Sequence, residues 1–529
     1  MSEQAARARP PSQAFTPWRR AFCLLLIWMA GSLPDRAGGA DQPQWGQRHT
    51  RNMVSGEKGL PAHFDPTNGH NVKWVAALGT ECYSTPVVAQ GRVIIGTNNQ
   101  RPRDPRHQGD RGALYCFAEK DGAFLWQLVV PKYSDDIYQD WPKVGIVSVA
   151  TIEGDRIYVM SNRREIMCLD LHGLANGNDG PFTNEAALLA PRGAPPTPLG
   201  EKDADILWVF DMVEEAGIWP HDGAQTSILI HGRHLYINSG NGVDNTHRKI
   251  RRPDAPSLVV LDKETGRMVG RDNERIGPRI FHCTWSSPAL GEVNGRQQII
   301  FAGGDGVVYG FEPLPQELPP GPPATLKKIW WFDGDPDSPK EDVHRFIGNR
   351  QQSPSNIKST PVFHAGRVFV TLGGDIWWGK KEAWIKCINA QLSGDISRTG
   401  LIWSTPLKDH SCTTPAIQDG LVFVADCGRQ VLCLEERTGE VLWRHQVKGD
   451  VWSSPLVADG KVYVGSRRRD LTVFAAKREL EVLASVEMDS GMVASPMAAN
   501  SVLYIATMQK LYALQEGARW PTAAAPSAP

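Results

Sequence analysis

Between Thr413 and Phe474 the chain states one structural unit almost twice, and this repetition limits its fold more than any other feature. Thr413-Thr414-Pro415, an apolar run, Asp419-Gly420 and Leu421-Val422-Phe423-Val424 lead into Val431-Leu432-Cys433-Leu434, Thr438-Gly439 and Val441-Leu442-Trp443. Ser453-Ser454-Pro455 opens the next copy, with Asp459-Gly460, Val462-Tyr463-Val464 and Leu471-Thr472-Val473-Phe474. Short apolar runs parted by Asp-Gly are hairpin signals. A unit of roughly 40 residues holding four strands has the size of one propeller blade.

Ser84-Thr85-Pro86, Ser286-Ser287-Pro288, Ser359-Thr360-Pro361 and Ala494-Ser495-Pro496 open further units, and two more begin near Ser148 and Thr226 without the proline. That makes eight. The last stops at Leu511 to Leu514 without a fourth strand, whereas Val72 to Leu78 is a closing strand with no unit before it. The expected fold is therefore all-β: an eight-bladed β-propeller of four-stranded antiparallel blades over 72–515, its last blade closed by the N-terminal strand. Such closure leaves no open blade. Closing tryptophans at Trp74, Trp126, Trp208, Trp330, Trp403 and Trp443 fall between blades. Burying roughly 200 Å² of each indole at about 25 cal/mol/Å² is worth on the order of 5 kcal/mol before entropy, so they read as structural.

Outside the repeats, Trp18-Arg19-Arg20 precedes an apolar run, Ala21 to Leu33, and the small residues Ala37-Gly38-Gly39-Ala40. This order reads as a signal peptide over 1–40, too short to span a membrane comfortably. Arg19-Arg20 leaves general and twin-arginine export both open. Residues 41–71 form a polar, turn-rich extension and 516–529 an Ala/Pro-rich tail expected to be disordered. The mature chain is expected in the periplasm or secreted, as a monomer. With 57 basic and 58 acidic residues the net charge is -1, which gives no footprint for nucleic acid.

The segments Cys433 to Trp443 and Val260 to Gly266 resemble the tryptophan-docking repeat of quinoprotein-type propellers. Together with the Ser/Thr-Pro openings, the likeness covers about 72–515 and marks a resemblance to the PQQ-binding-like β-propeller repeat family. The resemblance implies two kinds of function: quinoprotein dehydrogenases, and exported non-catalytic propellers such as the outer-membrane assembly scaffold. The chain has no Cys-Cys dipeptide and no Cys-x-x-Cys-His haem site, and the docking motif maintains blade contacts without specifying a cofactor.

In a propeller, connections from an outer strand to the next inner strand share a face with the loops between strands two and three. On this face the sequence gathers His221, Asp222, Asn241, His282, His344, Arg345, Arg350, Trp377 and Trp378. Positions just before each Ser/Thr-Pro pair lie nearest the axis, which selects Tyr83, Gln225, Trp285, Lys358, Cys412, Trp452 and Val493. Aromatic platforms beside charged and amide groups suit a polar ligand, with Trp285, Lys358 and Trp452 foremost. The proline-rich segments Pro181 to Asp205 and Glu312 to Lys327 fall on the opposite face.

The first expectation is a non-catalytic scaffold at the cell envelope, binding a protein or a small polar ligand and needing no cofactor. The alternative is a PQQ- and calcium-dependent oxidoreductase, with the quinone on Trp285 or Trp452, Asp375 or Asp426 as general base, and Lys358 or Arg429 polarising a quinone oxygen. A third is a glycan-binding or glycan-cleaving propeller. Asp333-Gly334-Asp335-Pro336-Asp337 alternates carboxylates but lacks an EF-hand's glycine and closing glutamate. The histidines come from separate blades without ligand spacing, so no metal site is expected. Cys116, Cys168, Cys387 and Cys433 share one repeat position and read as small buried hydrophobes. Cys412 and Cys427 flank Asp419-Gly420 symmetrically and are expected to form a disulfide in an exported protein.

Overall fold

A computed structural model describes residues 40–222 and 226–521, so the expected signal peptide, the distal tail and Gln225 lie outside the described residues. Eight antiparallel sheets follow one another along the chain as the blades of a propeller. In the sixth, Ala416–Gln418, Leu421–Ala425, Gln430–Glu435 and Val441–Gln446 pair in sequence order. Asp419 and Gly420 both have positive φ (52° and 78°), the backbone that a two-residue hairpin turn demands and that Asp-Gly supplies cheaply.

The ring closes where the sequence reading places the joint. His70–Ala77 pairs with Lys510–Arg519, with Trp74 opposite Ala513 and Val75 opposite Tyr512. This last strand runs further than expected. Residues 516–519, assigned to the tail, are strand, because Arg519 still pairs with His70 and the Gly517 N–H donates to Asn71 Oδ1 at 2.8 Å. Five of the six closing indoles donate Nε1–H to a carbonyl of the following blade, as Trp74 does to Glu119 (2.9 Å) and Trp403 to Glu436 (3.0 Å). Trp330 instead donates to Gln298 Oε1 within its own blade. The Thr-Gly of the repeat has a role here: a Cβ at Gly439 would stand 2.5 Å from the Trp403 ring. Cys116, Cys168, Cys387 and Cys433 are buried as expected. No helix among the described residues is long and apolar enough to cross a membrane.

Two devices hold the centre. The second residue of each opening pair builds a hydroxyl ring: the Ser227 N–H donates to Ser287 Oγ, Ser287 to Thr360, Thr360 to Thr414, Thr414 to Ser454, Ser454 to Ser495 and Ser495 to Thr85, at 2.9–3.2 Å. Strand edges around the channel thus satisfy their donors across blades rather than within them.

The second device is the N-terminal extension, which the sequence presents only as polar and turn-rich. Its carbonyls at Gln42, Pro43, His49, Thr50 and Met53 accept from Val88, Ile152, Leu290, Phe363 and Val457, each on the innermost strand of a different blade. Asn52 exchanges two 2.8 Å bonds with Ile417. The fully buried Arg51 guanidinium donates to the carbonyls of Trp45, Ser227 and Pro288 at 2.9–3.1 Å. The Pro288 carbonyl is exposed to this contact at a position where proline's missing donor costs nothing. Residues 42–55 therefore act as a plug that closes one end of the channel.

Candidate functional site

Side chains two apart on an extended strand share a face, so both members of each opening triplet reach the axis. Tyr83 with Thr85, Trp285 with Ser287, Lys358 with Thr360, Cys412 with Thr414 and Trp452 with Ser454 line a throat of about 80 Å³ floored by Trp45. Above it the channel widens into a cavity of about 370 Å³ walled by Tyr83, Tyr138, Trp141, Asp222, His247, His282, Trp285, Trp377, Trp378, Trp452 and Arg467. The positions selected as axial all lie here, apart from the undescribed Gln225, with Val147 taking the place in the unit that begins near Ser148.

Loops of different blades deliver the charged groups. His221 follows the outer strand Ile206–Asp211, His247 lies between His234–Asn238 and Leu258–Asp262, His282 follows Met268–Arg271, and Asp375 follows Arg367–Gly374. Asp375 is fully buried and its acceptor capacity is spent. Oδ1 takes the N–H groups of Trp377 and Trp378 at 2.9 and 3.0 Å; Oδ2 lies 2.9 Å from Lys358 Nζ, 3.1 Å from His282 Nδ1 and 3.0 Å from Asn356 Nδ2. Burial opposes the Asp375 charge, but Lys358 and His282 outweigh it and hold the carboxyl well below its ordinary range. Burial likewise opposes the Lys358 charge and Asp375 outweighs it, so the lysine stays cationic. The same balance, with Cys283 and Asp375 against burial, raises His282 to about 10.

His221 sits behind His282, Nε2 to Nε2 at 3.0 Å, and Tyr138 stacks on its ring at 5.8 Å and 6°. Burial, then the neighbouring His282 and His247, drives the His221 pKa well down. Burial is also the first cause lowering His247, and both rings are therefore neutral at pH 7. Buried Arg164 donates to the carbonyls of His221 and Asp222 and fixes that loop. Gly242 leaves the room it needs, since a Cβ there would stand 2.7 Å from the His221 Cβ.

Other predicted residues support loops instead. Asn241 accepts from Trp219 N and donates to Arg252 O. His344 Nε2 lies 2.9 Å from Ile280 O, and Arg345 stacks on Phe346. Arg350 donates to the carbonyls of Trp377 and Gly379, bracing the tryptophan loop from outside. Asp426 is buried, accepting from Gln430 N and Lys408 N, and Arg429 is exposed; neither lines the cavity. Cys412 and Cys427 are neighbours but unlinked, a correction to the expected disulfide. Strand pairing ends at Ala416 opposite Phe423, and the Ser411 and Thr413 hydroxyls take the Ala425 carbonyl. A hydrogen bond with Cys412, ahead of burial, pushes the Cys427 thiol far up. The carboxylates near Asp335 are neutralised by lysines, Asp333 by Lys340 and Asp335 by Lys380, both at 2.7 Å. Tyr138 and the plug residues Trp45 and Arg51 had no distinguishing sequence signal, though Trp141 marks Tyr138's loop.

A family model described as outer membrane protein assembly factor BamB matches residues 381–520. No curated protein matches the chain. Among solved structures, a europium-containing methanol dehydrogenase aligns with a TM-score of 0.54 at 11% identity, covering 91% of this chain and 98% of its own. BamB from Moraxella catarrhalis aligns at 0.48 and 11%, covering 84% and 98%. The computationally designed Ika8 protein aligns at 0.46 and 10%, covering 88% and 99%. Such identities speak to the fold alone. The family match is confined to residues 381–520, and the structural likeness gives the chain the β-propeller fold.

The PQQ and calcium pair that the quinoprotein resemblance implies does not fit the cavity. Calcium takes six to eight oxygen ligands, whereas Asp222 is the one carboxylate on the cavity wall among the described residues, set among imidazoles. Trp285, Trp377 and Trp452 meet one another at 44–78° with centres 5.6–6.3 Å apart, so no two of them form a parallel slot for a planar ring system. Asp375, its lone pairs taken by five donors, has none left to act as a base.

Proposed function

We propose that the protein is an exported, non-catalytic binding propeller that takes a small polar ligand with a flat face in the cavity above its channel. One observation carries this reading: the N-terminal plug turns an open channel into a closed-ended pocket. Its volume falls within the range of small-molecule sites and its lining is aromatic with few polar groups, the usual composition of such sites. Indole faces favour sugar rings and planar acids alike. Arg467, lying over the Trp452 ring at 4.9 Å, supplies positive charge at the wall. The match of residues 381–520 to an assembly factor supports a binding rather than a catalytic role and an envelope location.

The test is intrinsic tryptophan fluorescence of the purified protein, titrated with panels of oligosaccharides and of planar carboxylic acids. Saturable quenching by one class, lost in Trp452→Ala and weakened in Arg467→Ala, supports the pocket. Silence toward both panels, with an envelope protein captured equally well by the Trp452→Ala variant, would move the function to another surface.

A further inference from the structure

The histidines that the sequence scatters over separate loops converge. His221 Nε2 and His282 Nε2 are 3.0 Å apart, and Asp222 places one carboxylate oxygen 3.7 Å from the first and the other 3.4 Å from the second. A ring nitrogen of His247 lies within 4.8 Å of both imidazole donors. Four-coordinate zinc with Zn–N of about 2.0–2.1 Å has ligand-to-ligand edges of roughly 3.3 Å. The His221–His282 edge and the two His–Asp222 edges, which end on different carboxylate oxygens, are thus each near the length of a tetrahedral edge.

The surroundings match what a metal ligand requires. An imidazole that binds through one nitrogen donates through the other to a carboxylate or carbonyl, which fixes its tautomer. His282 does this, with Nδ1 3.1 Å from Asp375 Oδ2, and Asp375 is held in turn by Lys358, Asn356 and two backbone N–H groups. Arg164 and Tyr138 fix His221, as described above. Cys283 sits at the edge of the cluster: its Sγ accepts from Lys358 at 3.3 Å, lies 3.8 Å from His282 Nδ1 and comes within 4.8 Å of an Asp222 carboxylate oxygen. His221 and His282 meet nitrogen to nitrogen at 3.0 Å beside the Asp222 carboxylate, so the donor atoms already face one point.

We propose that His221, His247, His282 and Asp222 form a site for one divalent transition ion of the zinc class, with Asp375 as the carboxylate that orients His282. Imidazole-rich sets select such ions over calcium or magnesium. His247, His282 and Asp222 also line the large cavity, so a small ligand entering there meets the ion's open side. Counting Lys358 and a divalent ion as +3 against Asp222 and Asp375 as −2 leaves one positive charge, which favours an anionic oxygen donor such as a carboxylate. Ion binding is read without any organic ligand, so this proposal and the pocket reading can fail separately.

The experiment is metal titration of the untagged, chelator-stripped full protein with Zn²⁺ and Co²⁺, followed by calorimetry and by the Co²⁺ visible spectrum. The expected result is one equivalent bound, with the intense visible bands of low-coordinate cobalt. Two variants suit positions with positive φ, 56° at His247 and 57° at Asp222, because asparagine tolerates that backbone. His247→Asn and Asp222→Asn should each weaken binding at least tenfold and alter the cobalt spectrum, while the melting temperature of the stripped protein changes little. Failure of the folded parent to bind either ion stoichiometrically would overturn the proposal, as would unchanged affinity and spectrum in both variants.

Discussion

Lys358 Nζ stands 2.9 Å from Asp375 Oδ2 and 4.4 Å from the centre of the Trp285 ring, with both charged groups buried. The pair joins the inner strand of the fifth blade to the loop that carries Trp377 and Trp378. It therefore sets the floor and one wall of the cavity together.

Removing Lys358 takes from the buried Asp375 its nearest cation and leaves His282 as its remaining charged partner. Lys358→Met should cost about 3–5 kcal/mol, measured by urea denaturation, because Asp375 stays buried. Lys358→Met combined with Asp375→Asn should recover part of that loss. Additive losses in the double variant would mean that the two groups are not coupled.

Arg51 should matter out of proportion to its place in an irregular segment. Its guanidinium bonds to carbonyls of Trp45, Ser227 and Pro288, and hydrogen bonds from charged groups are worth about 1.5–3 kcal/mol each. Arg51→Met should lower the melting temperature and make residues 42–55 the first site of limited proteolysis. Cleavage unchanged from the parent protein would show that the plug is held by its backbone contacts alone.

Acidic pH should stabilise one corner of the fold. Asp272 is buried, and burial outweighs its hydrogen bonds from Ser257 and Leu258, raising its pKa from 3.8 to about 6. Below about pH 4 the group is protonated whether folded or unfolded. Between about pH 4 and pH 6 the unfolded chain ionises this carboxyl while the folded protein keeps it protonated, so stability falls by about 3 kcal/mol across that window and levels off above it. Denaturation midpoints at pH 4, 5, 6 and 7 check this, and Asp272→Asn should flatten the slope.

Titration with PQQ and calcium should give no dye reduction, since the cavity lacks the oxygen donors that calcium requires and Asp375 has no free lone pair to act as a base. Dye reduction abolished by Asp222→Asn would restore the oxidoreductase reading.

Blades, ring closure and the axial positions were legible because hairpin turns and strand alternation are local rules. Asp419-Gly420 fixes a turn, and a residue two before Thr360 must share its face. Loop rims were legible only as a side: the face rule gathered His221, His282 and Trp377 correctly with His344 and Arg345, which turned out to brace loops. Convergence of His221, His247 and His282 depends on how three loops fold inward, which no spacing encodes. The plug escaped because it offers the blades carbonyl acceptors, and every residue has one, so Gln42 to Met53 carries no apolar period. The Cys412–Cys427 symmetry was read correctly as proximity but not as a bond, because serine and threonine hydroxyls end the strand pairing before it reaches them.

Hydrogen exchange tests most directly whether the N-terminal segment closes the channel. The amides of Val88, Ile152, Leu290, Phe363 and Val457 donate to the plug. They should exchange as slowly as the central blade strands, and accelerate together in Arg51→Met. Rapid exchange at all five in the parent protein would mean an open channel, and the closed-ended pocket would be wrong.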